Sequence, residues 1–173
     1  MKPFLAALGA NPLDRATVLA RWLLGGHFLY MGWVKAIQAE HFLKLLREYH
    51  LTQNPLLLNF IGATVPWFEV FCGLLLLAGV AVRGAALLLA VMLAAFTAVV
   101  AHRAVGVAAT QAIPFCNVKF DCGCGGGAEF ICAKLPQNIG MLLIAVWLLA
   151  GRGRALCARY SWPDRSREFP PNS

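Results

Sequence analysis

Four stretches of this chain are apolar for long enough to cross a lipid bilayer, and no other feature restricts its fold as strongly. A membrane-spanning helix needs roughly 20 mostly apolar residues. The stretches cover residues 16–37, 56–82, 84–104 and 135–151 of a 173-residue chain. The first carries Arg21, His27 and Lys35, and the second carries Pro66 and Glu69. The fourth is short, and its start is expected at Pro136, because proline suits the first turn of a helix. Apolar residues make up 60% of the chain and charged residues 13%, against about half and about a quarter in soluble domains. That balance excludes an ordinary water-soluble globule, and it excludes intrinsic disorder more firmly. The expected fold is an all-α integral membrane protein. It is a four-transmembrane-helix bundle over residues 1–151, with a basic, disordered cytoplasmic tail over 152–173.

The net charge of +7 could suggest nucleic acid, but the 15 Lys and Arg residues are scattered between apolar runs. Tracking phosphates needs a clustered basic face, so no nucleic-acid partner is expected. The charges bear instead on orientation. With the N-terminus in the cytoplasm, that side holds Lys2, Arg15, Arg83, Arg152, Arg154, Arg159, Arg165 and Arg167, eight in all. The other side holds five: Lys44, Arg47, Arg103, Lys119 and Lys134. Both termini are therefore expected on the cytoplasmic side of a bacterial inner membrane. No cleavable signal peptide is expected, since the apolar stretch Phe4–Leu8 is too brief and Asn11-Pro12 and Asp14 follow it.

The two external loops carry the chemistry. In the first, Phe42, Leu45, Leu46 and Tyr49 fall at i, i+3, i+4 and i+7, one face of a helix. This predicts a short amphipathic helix at the bilayer surface. It either covers the end of the bundle or acts as the lid of a site. The second loop holds Cys116, Cys122, Cys124 and Cys132 in the pattern C-x5-C-x-C-x7-C. Facing the periplasm, these thiols can be oxidised. Three readings fit: one or two structural disulfides, a four-cysteine zinc site, or redox exchange centred on Cys122-Gly123-Cys124. A disulfide between residues i and i+2 closes a tight, bent ring, and strained disulfides are the more easily reduced ones. Redox exchange therefore leads. Cys72 and Cys157 read as inert small residues.

Several features together resemble a known family. They are Arg21, Gly25, Phe28, Gly32 and Lys35 in the first span, and the Phe42–Leu51 loop segment. Pro66-Trp67-Phe68-Glu69 with Gly73 and Gly79 follow in the second span, then Cys122-x-Cys124-Gly125 and Asn138. In this order they resemble the DoxX-like membrane proteins, and within them the methylamine utilisation protein E (MauE) type. One departure is that Gly125-Gly126-Gly127 stands where the family commonly has an aromatic residue and glycine. The resemblance implies a four-helix membrane bundle tied to thiol–disulfide chemistry. It also implies a thioredoxin-like partner and a role in maturing periplasmic disulfide-rich clients, such as the small subunit of methylamine dehydrogenase. More distant relatives are tied to quinone-linked sulfur oxidation.

The expected mechanism is a thiol–disulfide relay. Cys122 and Cys124 form the exchanging pair, and Cys116 and Cys132 form a second pair or a staple. Nearby cations lower a thiol pKa, and Lys119, Lys134 and the helix start near Asn138 are candidates for this. Ionisable groups inside a span usually mark function or internal pairing. Lys35 and Glu69 are expected to pair across the first two helices. With His27 and Trp67 they are the candidate residues for a quinone or proton site, against the plainer reading of an interhelical clasp. Two other classes stand beside the relay: a non-catalytic scaffold for a thioredoxin-like protein, and a metal carrier using the four cysteines.

Overall fold

The computed structural model describes residues 12–49, 54–121 and 127–150. Cys122, Cys124, Cys157 and the tail at 152–173 lie outside the described residues. Among the described residues, five α-helices run in the order α1 (Pro12–Ile37), α2 (Ala39–Glu48), α3 (Pro55–Ala78), α4 (Val82–Gln111) and α5 (Ile131–Ala150). Between α4 and α5 come a 3-10 turn, Phe115–Asn117, and two short strands, β1 (Lys119–Asp121) and β2 (Ala128–Phe130). Helices α3, α4 and α5 are long and apolar enough to cross a membrane. Helix α1 has the length, 26 residues, but Arg21, His27 and Lys35 dilute its apolar run.

Where the structure departs from expectation, local chemistry explains it. Helix α3 stops at Ala78 rather than residue 82, because Gly79 turns left-handed at φ 73° and caps the Leu75 and Leu76 carbonyls. At its other end, Asn54 accepts hydrogen bonds from the Leu56 and Leu57 amides, with Pro55 in the first turn. Helix α4 continues about two turns past residue 104 to Gln111 and is capped by Ala112, which is left-handed at φ 52°. Helix α5 begins at Ile131, five residues before Pro136, so the proline lies in its second turn. The earlier start follows from the strands: the Ile131 amide donates to the Val118 carbonyl at 3.1 Å, so β2 runs straight into the helix. The all-α expectation also omitted the strands themselves. β1 and β2 pair antiparallel, with Lys119 opposite Phe130, Phe120 opposite Glu129 and Asp121 opposite Ala128.

Helices α1 and α3 make the closest seam. A Cβ on Gly32 would sit 2.6 Å from the Pro66 carbonyl oxygen, and one on Gly73 would sit 2.8 Å from the Gly25 carbonyl oxygen. Only glycine allows the two backbones to approach this far, the device by which small residues drive helix pairing in lipid. Beside the seam lies an apolar core from four helices, with Leu24, Cys72, Leu76, Leu89 and Ala145 fully buried. The opposite end of the bundle, where α2 and the strands lie, is built differently.

Candidate functional site

Helix α2 lies over this end of the bundle. Its apolar face (Phe42, Leu45 and Leu46) is buried, as the i, i+3, i+4 spacing requires. Phe42 and Leu46 pack with Leu58 of α3. Beneath α2 is a cavity of about 230 Å³ to which all five helices contribute. Phe42, Leu45 and Leu46 of α2, with Tyr49 just beyond its end, form one wall, so the helix roofs a space.

The cavity is mainly apolar, but polar side chains converge on it from three helices. Lys35 of α1 and Glu69 of α3 form an ion pair at 2.6 Å, with side chains 8% and 5% exposed. The ammonium also lies 5.5 Å from the Phe42 ring centroid and 5.8 Å from that of Phe96, within cation–π range. From α5, Lys134 and Asn138 line the same cavity. Lys134 pairs with Glu129 of β2 at 3.2 Å and donates to Gln137 Oε1 at 3.2 Å. His27 lines the wall with its ring edge-on to Phe28 at 5.8 Å. Among the buried polar atoms of this lining, Glu69 Oε2 and Asn138 Nδ2 lack a hydrogen bond.

Trp67, expected here as a ring partner, is elsewhere. It is 60% exposed and does not line the cavity. Two residues along an α-helix turn the side chain by about 200°, so Glu69 facing inward sends Trp67 outward. Asn138 is also placed differently from expectation. Because α5 starts at Ile131, Asn138 is buried about two turns inside the helix and does not mark its positive end. Cys132 occupies the first turn instead, where the helix dipole favours a thiolate.

Cys116 and Cys132 are joined as a disulfide, with Cα atoms 5.0 Å apart. It links the 3-10 turn to the first turn of α5, closing the strand pair at its base. Cys116 is exposed and Cys132 half-buried. In this state four free thiolates are not available to hold a metal. Cys72, the free cysteine among the described residues, is buried in the apolar core, in keeping with an inert role. The chain segment joining Asp121 to Ala128 carries Cys122 and Cys124.

The strand pair is fastened to the roof of the cavity. His41 Nε2 of α2 lies 3.1 Å from Asp121 Oδ2 of β1. Arg103 of α4 donates to the Glu48 carbonyl oxygen and pairs with the Glu48 carboxylate at 3.2 Å. Its guanidinium stacks on Tyr49 at 4.7 Å and on Phe120 at 5.5 Å. In the sequence Arg103 stands only as a loop charge, and nothing in its spacing marks this role. Met31, Tyr49 and Phe96 line the cavity and also pack in the apolar cluster that includes Cys132. The cavity thus shares these three lining residues with the cluster against which Cys132 packs.

Comparison with known proteins adds one finding. No curated protein and no solved structure matches the chain. A family model described as methylamine utilisation protein MauE matches residues 13–151, which takes in every described helix except the first residue of α1. On that extent of match, the chain belongs to the methylamine utilisation protein MauE family.

Proposed function

We propose that this protein exchanges thiols and disulfides at the outer face of the bacterial inner membrane, so that exported proteins acquire their disulfides. Helix α1 acts as a fourth span, both termini face the cytoplasm, and α2 and the strands face the periplasm. The wider kinship with DoxX-like proteins is part of the same proposal. The observation that carries it is the Cys116–Cys132 disulfide, which is exposed at Cys116 and closes the base of the segment bearing Cys122-Gly123-Cys124.

Exchange proceeds sulfur by sulfur. One thiolate of a client dithiol attacks the Cys122–Cys124 disulfide, forming a mixed disulfide and releasing one thiol. The client's second thiol displaces the remaining cysteine. The client gains one S–S bond, and Cys122 and Cys124 end as thiols, having received two electrons and two protons. The same two-step exchange with Cys116–Cys132 reoxidises them. In that step Cys132 is the better leaving sulfur, because the N-terminus of α5 stabilises its thiolate. The disulfide of a thioredoxin-like partner, or another two-electron oxidant, then restores the Cys116–Cys132 bond.

The test is disulfide formation in a periplasmic client with Cys122→Ser or Cys124→Ser in place of the native protein. Maturation is expected to fail while the membrane abundance of the variant stays normal. Normal maturation would refute the exchange role. Loss of the variant from the membrane would mean these cysteines are structural and would favour a scaffold for the partner.

A further inference from the structure

The lining of the cavity under α2 includes polar atoms that the fold buries without a hydrogen bond. Glu69 is 4% exposed and Asn138 5% exposed, both line the cavity, and Glu69 Oε2 and Asn138 Nδ2 have no hydrogen-bond partner. Buried polar groups are nearly always paired, and each exception calls for an explanation. The two are chemically complementary. A carboxylate oxygen accepts, and an amide nitrogen donates. A hydroxyl group answers both kinds of atom, since its proton goes to Glu69 and its lone pairs accept from Asn138. A carbonyl can answer only Asn138.

A lone water could offer the same hydrogen bonds, but the rest of the space would suit it poorly. The walls are apolar and rich in rings, among them Phe28, Phe42, Phe96 and Tyr49, and the volume is about 230 Å³. Ligand sites commonly have this character, apolar throughout with a few convergent polar groups. The lining therefore fits a flat apolar ring bearing hydroxyl groups, delivered from the lipid phase that surrounds the helices. Met31, Tyr49 and Phe96 belong both to this lining and to the apolar cluster that includes Cys132.

We propose that the cavity binds the head of a membrane-borne hydroquinone, with Glu69 accepting from a hydroxyl and Asn138 donating to a ring oxygen. This rests on the thiol-exchange reading above, which requires a two-electron, two-proton partner for the cysteines. A quinone and its hydroquinone differ by that number of each. Lys35 orients the Glu69 carboxyl group through the 2.6 Å pair, leaving Oε2 for the ligand. The hydroquinone form is held more tightly than the quinone, because only the reduced form supplies a donor to Glu69.

The test is equilibrium binding to the purified full-length protein in lipid nanodiscs, without oxygen. The probes are a short-chain ubiquinone, its hydroquinone, and decanol as an aliphatic alcohol. Binding is measured on the wild type and on a Cys122→Ser/Cys124→Ser variant. We expect the hydroquinone to bind at least tenfold more tightly than either other probe, and equally in both proteins. Asn138→Leu is expected to weaken both ring forms tenfold or more. Glu69→Gln is expected to reduce the preference for the hydroquinone, and the Cys116–Cys132 disulfide in each variant reports that it has folded. Absence of binding by both ring forms overturns the proposal, as does tighter binding of the quinone. Equal binding of decanol overturns it too, in favour of a general lipid-alcohol site. Because binding is read without cysteine turnover, its failure leaves the exchange role to be judged by client maturation.

Discussion

The two ends of the bundle solve the same packing problem in opposite ways. At one end, Leu24, Cys72, Leu76, Leu89 and Ala145 fill the interior with apolar atoms, beside the close Gly25–Gly73 contact. At the other, Lys35, Glu69, Lys134 and Asn138 are buried around a cavity, beneath a helix tied to a disulfide-closed strand pair. Stability alone would favour the first arrangement throughout, because a buried ion pair is often no better than well-packed apolar residues of similar volume. Thr17 and Arg21 are buried at the first end as well, but the four buried polar residues at the second line one cavity, which marks where function is to be sought. The same end holds the disulfide-bonded cysteines.

That contrast can be broken in stages. The largest effect is expected from Lys35→Met, which strands the Glu69 carboxylate in the interior. Removing one partner of a buried pair costs about 3–5 kcal/mol, read as a lower midpoint of unfolding in detergent. The double variant Lys35→Met/Glu69→Leu is expected to recover most of that stability; no recovery would mean the pair has no mutual role. Next comes Cys116→Ser/Cys132→Ser, which opens a loop with a sequence separation of 16. A loop of this size contributes roughly 3 kcal/mol. The loss is expected in proteolysis of the strand region, with the midpoint of the apolar end little changed.

Smaller effects sharpen the picture. Gly32→Ala pushes a methyl group toward the Pro66 carbonyl oxygen, and overpacking of this kind costs about 1–3 kcal/mol. Gly26→Ala, with open space at its Cβ position, is the control and is expected to leave the midpoint unchanged or slightly raised. Arg103→Leu removes an exposed ion pair and the stacking on Tyr49 and Phe120, together worth about 1 kcal/mol. Its main effect is expected as faster hydrogen exchange in α2 and β1. Unchanged exchange there would separate the roof from the strands. Trp67→Leu is expected to alter ligand binding least of all, since Trp67 lies outside the cavity.

Much of the helical frame is legible in the sequence because lipid leaves little choice. An ionisable residue in an apolar run needs a partner, so the pairing of Lys35 with Glu69 follows from their positions in the first two spans, and they meet at 2.6 Å. The face Phe42, Leu45, Leu46 is likewise readable from its spacing and is buried. Spacing alone leaves three connectivities for four cysteines; the relay expectation pairs Cys116 with Cys132, and these two are bonded. Pro136 misleads because a proline can stand in the second turn as well as the first. The strand pair is hidden by its length of three residues on each side, too short for alternation to show. Arg103 gives no signal at all, since its partners, Glu48, Tyr49 and Phe120, are distant in sequence and meet only through the fold.

The central claim is that the cysteines turn over, and differential thiol alkylation in intact membranes tests it most directly. Peptide mass spectrometry across Phe115–Lys134 would follow all four cysteines, with the quinone pool held first oxidised and then reduced. The account expects Cys116–Cys132 to be a disulfide with the pool oxidised, and a measurable share of both pairs to become thiols with the pool reduced. Four cysteines locked in one state under both conditions would contradict it and leave the loop a staple on a membrane scaffold.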